Sequence, residues 1–117
     1  MLSFNHTLKI DQGASVEDMV IWQTGTPPLP VDLTGCTAIA QIRSKIDSPN
    51  VLLELSTANG GIVLGGATGS ITMHISPIVT KSLTWKLGVY DLLITFTDGT
   101  VLRKLNGSVI VSQSVTR

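Results

Sequence analysis

The chain has 117 residues, 43% hydrophobic and only 14% charged, with eight basic and eight acidic side chains and no net charge. That length makes one domain, residues 1–117, able to bury a modest core. The apolar content argues against disorder, and the balanced charge argues against the clustered Lys and Arg of a nucleic-acid footprint.

Phe4, His6, Leu8 and Ile10 share one parity, so residues 4–10 read as a first strand ending at the turn Asp11-Gln12-Gly13. Residues 15–23 offer two patterns: a helix capped by Ser15 and Asp18, or a strand built on Val, Ile and Trp. The strand is preferred. Pro27, Pro28, Pro30 and Gly35 are expected to forbid regular ladders over residues 25–35 and make a loop. Ala38, Ala40 and Ile42 alternate with Gln41 and Arg43 in a strand over 36–44, with Cys36 in phase as a buried core thiol. Residues 45–50 turn. Strands follow at 51–56, 62–64 and 71–75, separated by Asn59-Gly60-Gly61 and the glycines at 65, 66 and 69.

Ser76-Pro77 has the form of an N-cap followed by proline in the first helical turn, so one short helical turn is expected near residues 77–83. Tyr90, Leu92, Ile94 and Phe96 then form an unbroken apolar parity, and Asp98-Gly99 supplies a tight hairpin into a last strand over 101–111. Strand breaks every ~8–12 residues predict an all-β antiparallel sandwich. Tyr90 enters a late strand, where its hydroxyl either bonds a nearby backbone group, as in a tyrosine corner, or stays in water at the rim.

Candidate chemistry is sparse. The glycines over 60–69 lack the following Lys-Ser or Lys-Thr and the helix of a phosphate loop, and read as hairpin glycines. His6 and His74 sit on different strands without cysteine partners or metal-ligand spacing. No Gly-x-Ser-x-Gly elbow is present. Glu17 and Asp18 are adjacent, so on a strand they point to opposite faces and form no acid/base pair. No enzyme activity, catalytic residue, metal or cofactor is expected. Trp85, beside Lys86, is the candidate stacking platform for a glycan; the alternative is a ring plugging the open end of the sandwich. No apolar run approaches the ~18 residues of a membrane helix. Met1 to His6 lacks the regions of a signal peptide, so a soluble protein made in a cytoplasm is expected, with neither membrane nor nucleic acid as partner.

Pro30-Val31-Asp32-Leu33-Thr34-Gly35 and Ala38-Ile39-Ala40-Gln41-Ile42-Arg43-Ser44-Lys45 resemble a pattern of small virion proteins of tailed bacteriophages and prophages. Leu53-Glu54-Leu55-Ser56-Thr57, Asn59-Gly60-Gly61-Ile62, Gly69-Ser70-Ile71-Thr72-Met73, Tyr90-Asp91-Leu92 and Gly107-Ser108-Val109-Ile110-Val111 continue it. The chain is similar to the immunoglobulin-like N-terminal module of phage baseplate upper proteins, over most of residues 25–117. This resemblance implies an immunoglobulin-like sandwich and a non-enzymatic virion subunit, in several copies on a symmetric scaffold of tail, baseplate, neck or fibre proteins. Capsid decoration, or a host-surface glycan-binding module using Trp85, are the alternatives. The expected contact elements are an N-terminal docking segment within residues 1–24, the loop around Pro27–Pro30, and the end from Ser112 to Arg117.

Overall fold

The computed structural model describes residues 4–115, and its strands follow the alternation of apolar side chains. In chain order they are β1 (Phe4–Asn5), β2 (Leu8–Asp11), β3 (Val16–Ile21), β4 (Gln23–Thr24), β5 (Leu29–Pro30), β6 (Thr37–Arg43), β7 (Leu53–Ser56) and β8 (Ile62–Leu64). After a 3-10 turn at Gly66–Thr68 come β9 (Ser70–Ile75), the helix α1 (Pro77–Lys81), β10 (Leu87–Thr95) and β11 (Val101–Ser112).

Two sheets face each other. The larger runs β1-β11-β10-β6-β7, with β2 also on β11, and the smaller runs β3-β9-β8. Period-two alternation sends Ala38, Ala40 and Ile42 of β6, Tyr90, Leu92 and Ile94 of β10, and Val109 and Val111 of β11 inward. Ile71, Met73 and Ile75 of β9 meet them from the other sheet. Each Val, Leu, Ile or Met among them contributes about 1.5–3 kcal/mol when fully buried. The strand order, with β2 and β3 consecutive in sequence but in different sheets, is that of an immunoglobulin-like Greek-key sandwich. The fold is all-β apart from α1 and the 3-10 turn, as the alternation predicts.

Helix α1 starts where expected. The Ser76 hydroxyl accepts from the Val79 N–H at 3.4 Å, and Pro77 occupies the first turn. The fully buried Thr80 hydroxyl donates to the Ala14 carbonyl at 2.8 Å and accepts from the Gly13 N–H at 3.1 Å, seating the helix on the turn between β2 and β3. In the final hairpin, Phe96 N–H donates to Thr100 O at 2.8 Å. Gly99 takes φ +89° within the three residues so enclosed.

Three expectations need correction. The first strand is interrupted: β1 and β2 lie parallel on β11 in one continuous register, with His6 and Thr7 between them. The proline loop contains a short ladder, β4 against β5. Val31 N–H donates to Trp22 O at 2.9 Å, which makes Trp22 and Val31 a hydrogen-bonded pair and the next pair, Gln23 and Pro30, a non-bonded one. Pro30 therefore sits where no N–H is required. Cys36, finally, precedes β6 and is only half-buried.

Gly107 admits the N-terminal strand. A Cβ at this position would lie 2.5 Å from the His6 carbonyl oxygen, so only glycine allows the backbones this close. Replacement Gly107→Ala is expected to cost about 1–3 kcal/mol in urea denaturation. It should also raise amide exchange selectively at Leu8–Asp11, whose pairing with β11 it disturbs.

Candidate functional site

The edge strand β3 gathers the polar side chains that sequence placed apart. His6 Nε2 lies 2.9 Å from both Asp18 carboxylate oxygens, and His74 Nδ1 lies 2.7 Å from Glu17 Oε1. Because Glu17 and Asp18 point to opposite faces, the histidines are also on opposite faces. The Asp18 pair bridges the two sheets, and the Glu17 pair is a cross-strand neighbour contact with β9. Among the described residues, no three His, Cys, Asp or Glu side chains form a group that could hold a metal ion.

Lys104 is the residue that sequence reasoning passed over. The register of β10 and β11 moves from Leu92–Leu105 to Leu93–Arg103, so Lys104 is the extra residue of a bulge. The bulge turns both Lys104 and Leu105 inward, and Lys104 is 3% exposed. Its Nζ lies 4.1 Å from the centroid of the Trp22 ring, whose edge meets Phe96 at a centroid distance of 5.9 Å. Burial lowers the ammonium pKa. A cleft of about 190 Å³ between β1 and β3 is lined by Trp22, Lys104 and Leu105 together with Asn5, His6, Val20 and Ile21. The signal was present in the sequence as a parity break, Leu102 and Lys104 in one phase and Leu105, Val109 and Val111 in the other.

Tyr90 ties down the N-terminal segment. It faces Gly107 across the ladder, and its hydroxyl donates to the His6 carbonyl at 2.6 Å. The tyrosine thus bonds backbone, but that of the N-terminal segment rather than of its own corner. Burial first, and the Asp18 carboxylate second, push its phenol pKa up.

Other sequence candidates separate. Trp85 is half-buried and packs against the core, and a Cβ at Gly88 would meet its ring at 3.5 Å. Burial, then the Asp32 and Asp98 carboxylates, raise the Cys36 thiol pKa, which disfavours a thiolate nucleophile. The glycines of residues 60–69 carry β8 and the 3-10 turn, with no helix to cradle a phosphate. On the outer face of the larger sheet, Gln41, Arg43, Asp91, Arg103 and Asn106 line a shallow depression of about 310 Å³ beneath Ile46. Arg43 is tied to Ser48 O and Gln41 Oε1, both at 2.9 Å.

The expected contact elements fall at two ends. Leu8, Ile10, Val16 and Trp22 are buried, so residues 8–22 are built into the core. The arm formed by β4 and β5 continues β3 past Trp22, beside the hairpin that carries Phe96, and all its residues from Gln23 to Pro30 are exposed. Ser112 pairs with Asp11 at the opposite end, where Ser114 N–H donates to Gln12 Oε1 and Gln12 Nε2 donates to Leu83 O. Thr116 and Arg117 lie outside the described residues. No helix among the described residues is long and apolar enough to cross a membrane.

No protein-family model matches the chain, and no curated protein matches it. Among solved structures it is similar to Drosophila OTK extracellular domains 3–5, at 14% identity and TM-score 0.38, covering 92% of this chain and 32% of that one. It is also similar to a structure from photo-crosslinking work on cell-adhesive interactions of VGSC beta subunits. There identity is 10% and TM-score 0.42, with 94% of this chain and 92% of that one covered. The chain spans about a third of the first structure, and likeness at this level assigns it no partner.

Removing the phenol hydroxyl tests the seam. Tyr90→Phe leaves the His6 carbonyl without its donor and is expected to cost about 1–2 kcal/mol in chemical denaturation at neutral pH. The raised native pKa gives wild type a contribution that is complete below about pH 10 and is lost as pH rises beyond it, because the unfolded phenol ionises first. The stability gap between wild type and Tyr90→Phe should therefore shrink between about pH 10 and pH 11. A gap that stays constant there would contradict the assignment.

Proposed function

We propose that the chain is a non-enzymatic structural subunit of a tailed-phage virion, docking on tail, baseplate, neck or fibre components. The observation that carries this reading is the wholly exposed arm from Gln23 to Pro30, which continues β3 and is closed by the short β4–β5 ladder. Its resemblance segment begins in this arm, at Pro30. An eight-residue projection anchored by buried Trp22 is a contact device, because exposed backbone and side chains held in one conformation reduce the ordering cost of binding. Repetition on a symmetric scaffold turns several weak contacts into lasting attachment. The half-burial of Trp85 weakens the glycan alternative, since a stacking platform needs an open ring face.

Antibody raised against the recombinant chain, applied with gold to purified parental particles in the electron microscope, tests the proposal. Label is expected at the tail tip, fibres or neck. Label spread over the head would instead make the protein a capsid decoration. Absence of label, with the chain also missing from particles by mass spectrometry, would remove the virion reading altogether.

A further inference from the structure

We propose that the outer edge of β3, extended by Gln23, is a homotypic pairing edge on which a second copy of this chain adds antiparallel. This inference is independent of the virion reading, since it rests on the backbone and side chains of the β3 edge itself.

Ladder geometry shows which groups the edge presents. Trp22 N–H donates to Gly69 O at 2.8 Å, in register with the β3–β9 ladder. Even-numbered residues of β3 therefore direct their backbone groups to β9, and Glu17, Met19 and Ile21 direct theirs outward. Gln23 continues the series, because its pair with Pro30 is non-bonded and Val31 approaches Trp22 from the β9 side. The result is an outward row of N–H and C=O groups at 17, 19, 21 and 23, with no strand paired to it among the described residues.

Edges that avoid pairing are short, broken, proline-bearing or charged. The other sheet edges follow this rule: β7 has four residues, β8 has three, and the β1–β2 edge is interrupted at His6 and Thr7. The edge from Val16 to Thr24 does not. It holds no Pro, Gly or Lys, and it exposes Met19 at 59% and Ile21 at 53%. Of its two carboxylates, Asp18 turns between the sheets onto His6, and Glu17 lies against His74 of the same sheet.

The occupant follows from self-complementarity. An antiparallel copy centred on Val20 places Glu17 opposite Gln23 and Met19 opposite Ile21, polar on polar and apolar on apolar. All four outward residues then lie in hydrogen-bonded pairs. The two three-stranded sheets become one six-stranded sheet with a two-fold axis. A contact made by one strand edge is expected to be weak, with association on the order of 100 µM.

Sedimentation velocity of the full chain from about 10 µM to about 1 mM spans that range. Wild type should shift from monomer to dimer. The variant Met19→Lys/Ile21→Lys should weaken dimerisation about tenfold or more while keeping its thermal unfolding, because like charges then face each other on an exposed surface. In a Cys36→Ala background, mixed Met19→Cys and Ile21→Cys single variants should oxidise mainly to the mixed disulfide, whose paired positions have suitable Cα spacing. A wild-type chain that stays monomeric throughout would overturn the proposal. So would a dimer indifferent to the lysines or crosslinked without the 19–21 preference.

Discussion

The N-terminal strand pairs with β11 and not with β3, and most of the particular features of this sandwich follow from that choice. Parallel pairing on β11 brings the His6 backbone against residue 107, where only glycine fits. It places a carbonyl within reach of Tyr90 and an imidazole beside Asp18. It also leaves β3 at the margin of the smaller sheet, with a cleft between the two sheet edges. Leu8 and Ile10, fully buried, supply the apolar part of the attachment. The Tyr90 hydrogen bond adds about 0.5–1.5 kcal/mol net, less than either side chain, and its role is to fix position.

Lys104 shows the same division between stability and geometry. Desolvating an ammonium costs several kcal/mol, whereas a cation–π contact returns about 0.5–2 kcal/mol. The ring of Trp22 alone therefore does not account for a lysine at 3% exposure. Its four-carbon stem packs as an apolar group would, and the bulge that turns it inward also restores Leu105, Val109 and Val111 to the core phase. The lysine is buried because a strand with an inverted first half must change phase somewhere, and position 104 is where it does.

Period-two alternation made the core of β6, β9 and β10 legible, and Ser76-Pro77 and Asp98-Gly99 marked the helix and the hairpin correctly. These signals are local. Pairing is not, and the misses share that cause. Pro30 was read as a ladder breaker, yet a proline in a non-bonded pair breaks nothing, and no residue near it reveals which pairs bond. The strand interruption at His6 and Thr7 depends on β11, about a hundred residues away in sequence. Glu17 and Asp18 diverge as their adjacency implies, but their histidine partners come from β9 and from the break between β1 and β2. Sequence leaves Trp85 either as an exposed platform or as a ring plugging the open end; its half-buried ring packs onto the core over Gly88.

A sandwich of this kind acts through what it leaves unpaired. The core fixes two rigid sheets, and rigidity lets a short arm and a strand edge meet a partner without paying for their own ordering. The arm and the Ser112–Ser114 segment lie at opposite ends of a molecule 45 Å long. The β3 edge runs between those ends. Contacts at an end and along an edge point in different directions, so under the proposed virion role the subunit would meet several neighbours at once. No single contact then has to be strong, because neighbours held in place by one another raise the effective concentration of each further contact. Under that proposal a chain with so few charges need not rely on long-range steering, because position in a packed assembly would replace attraction.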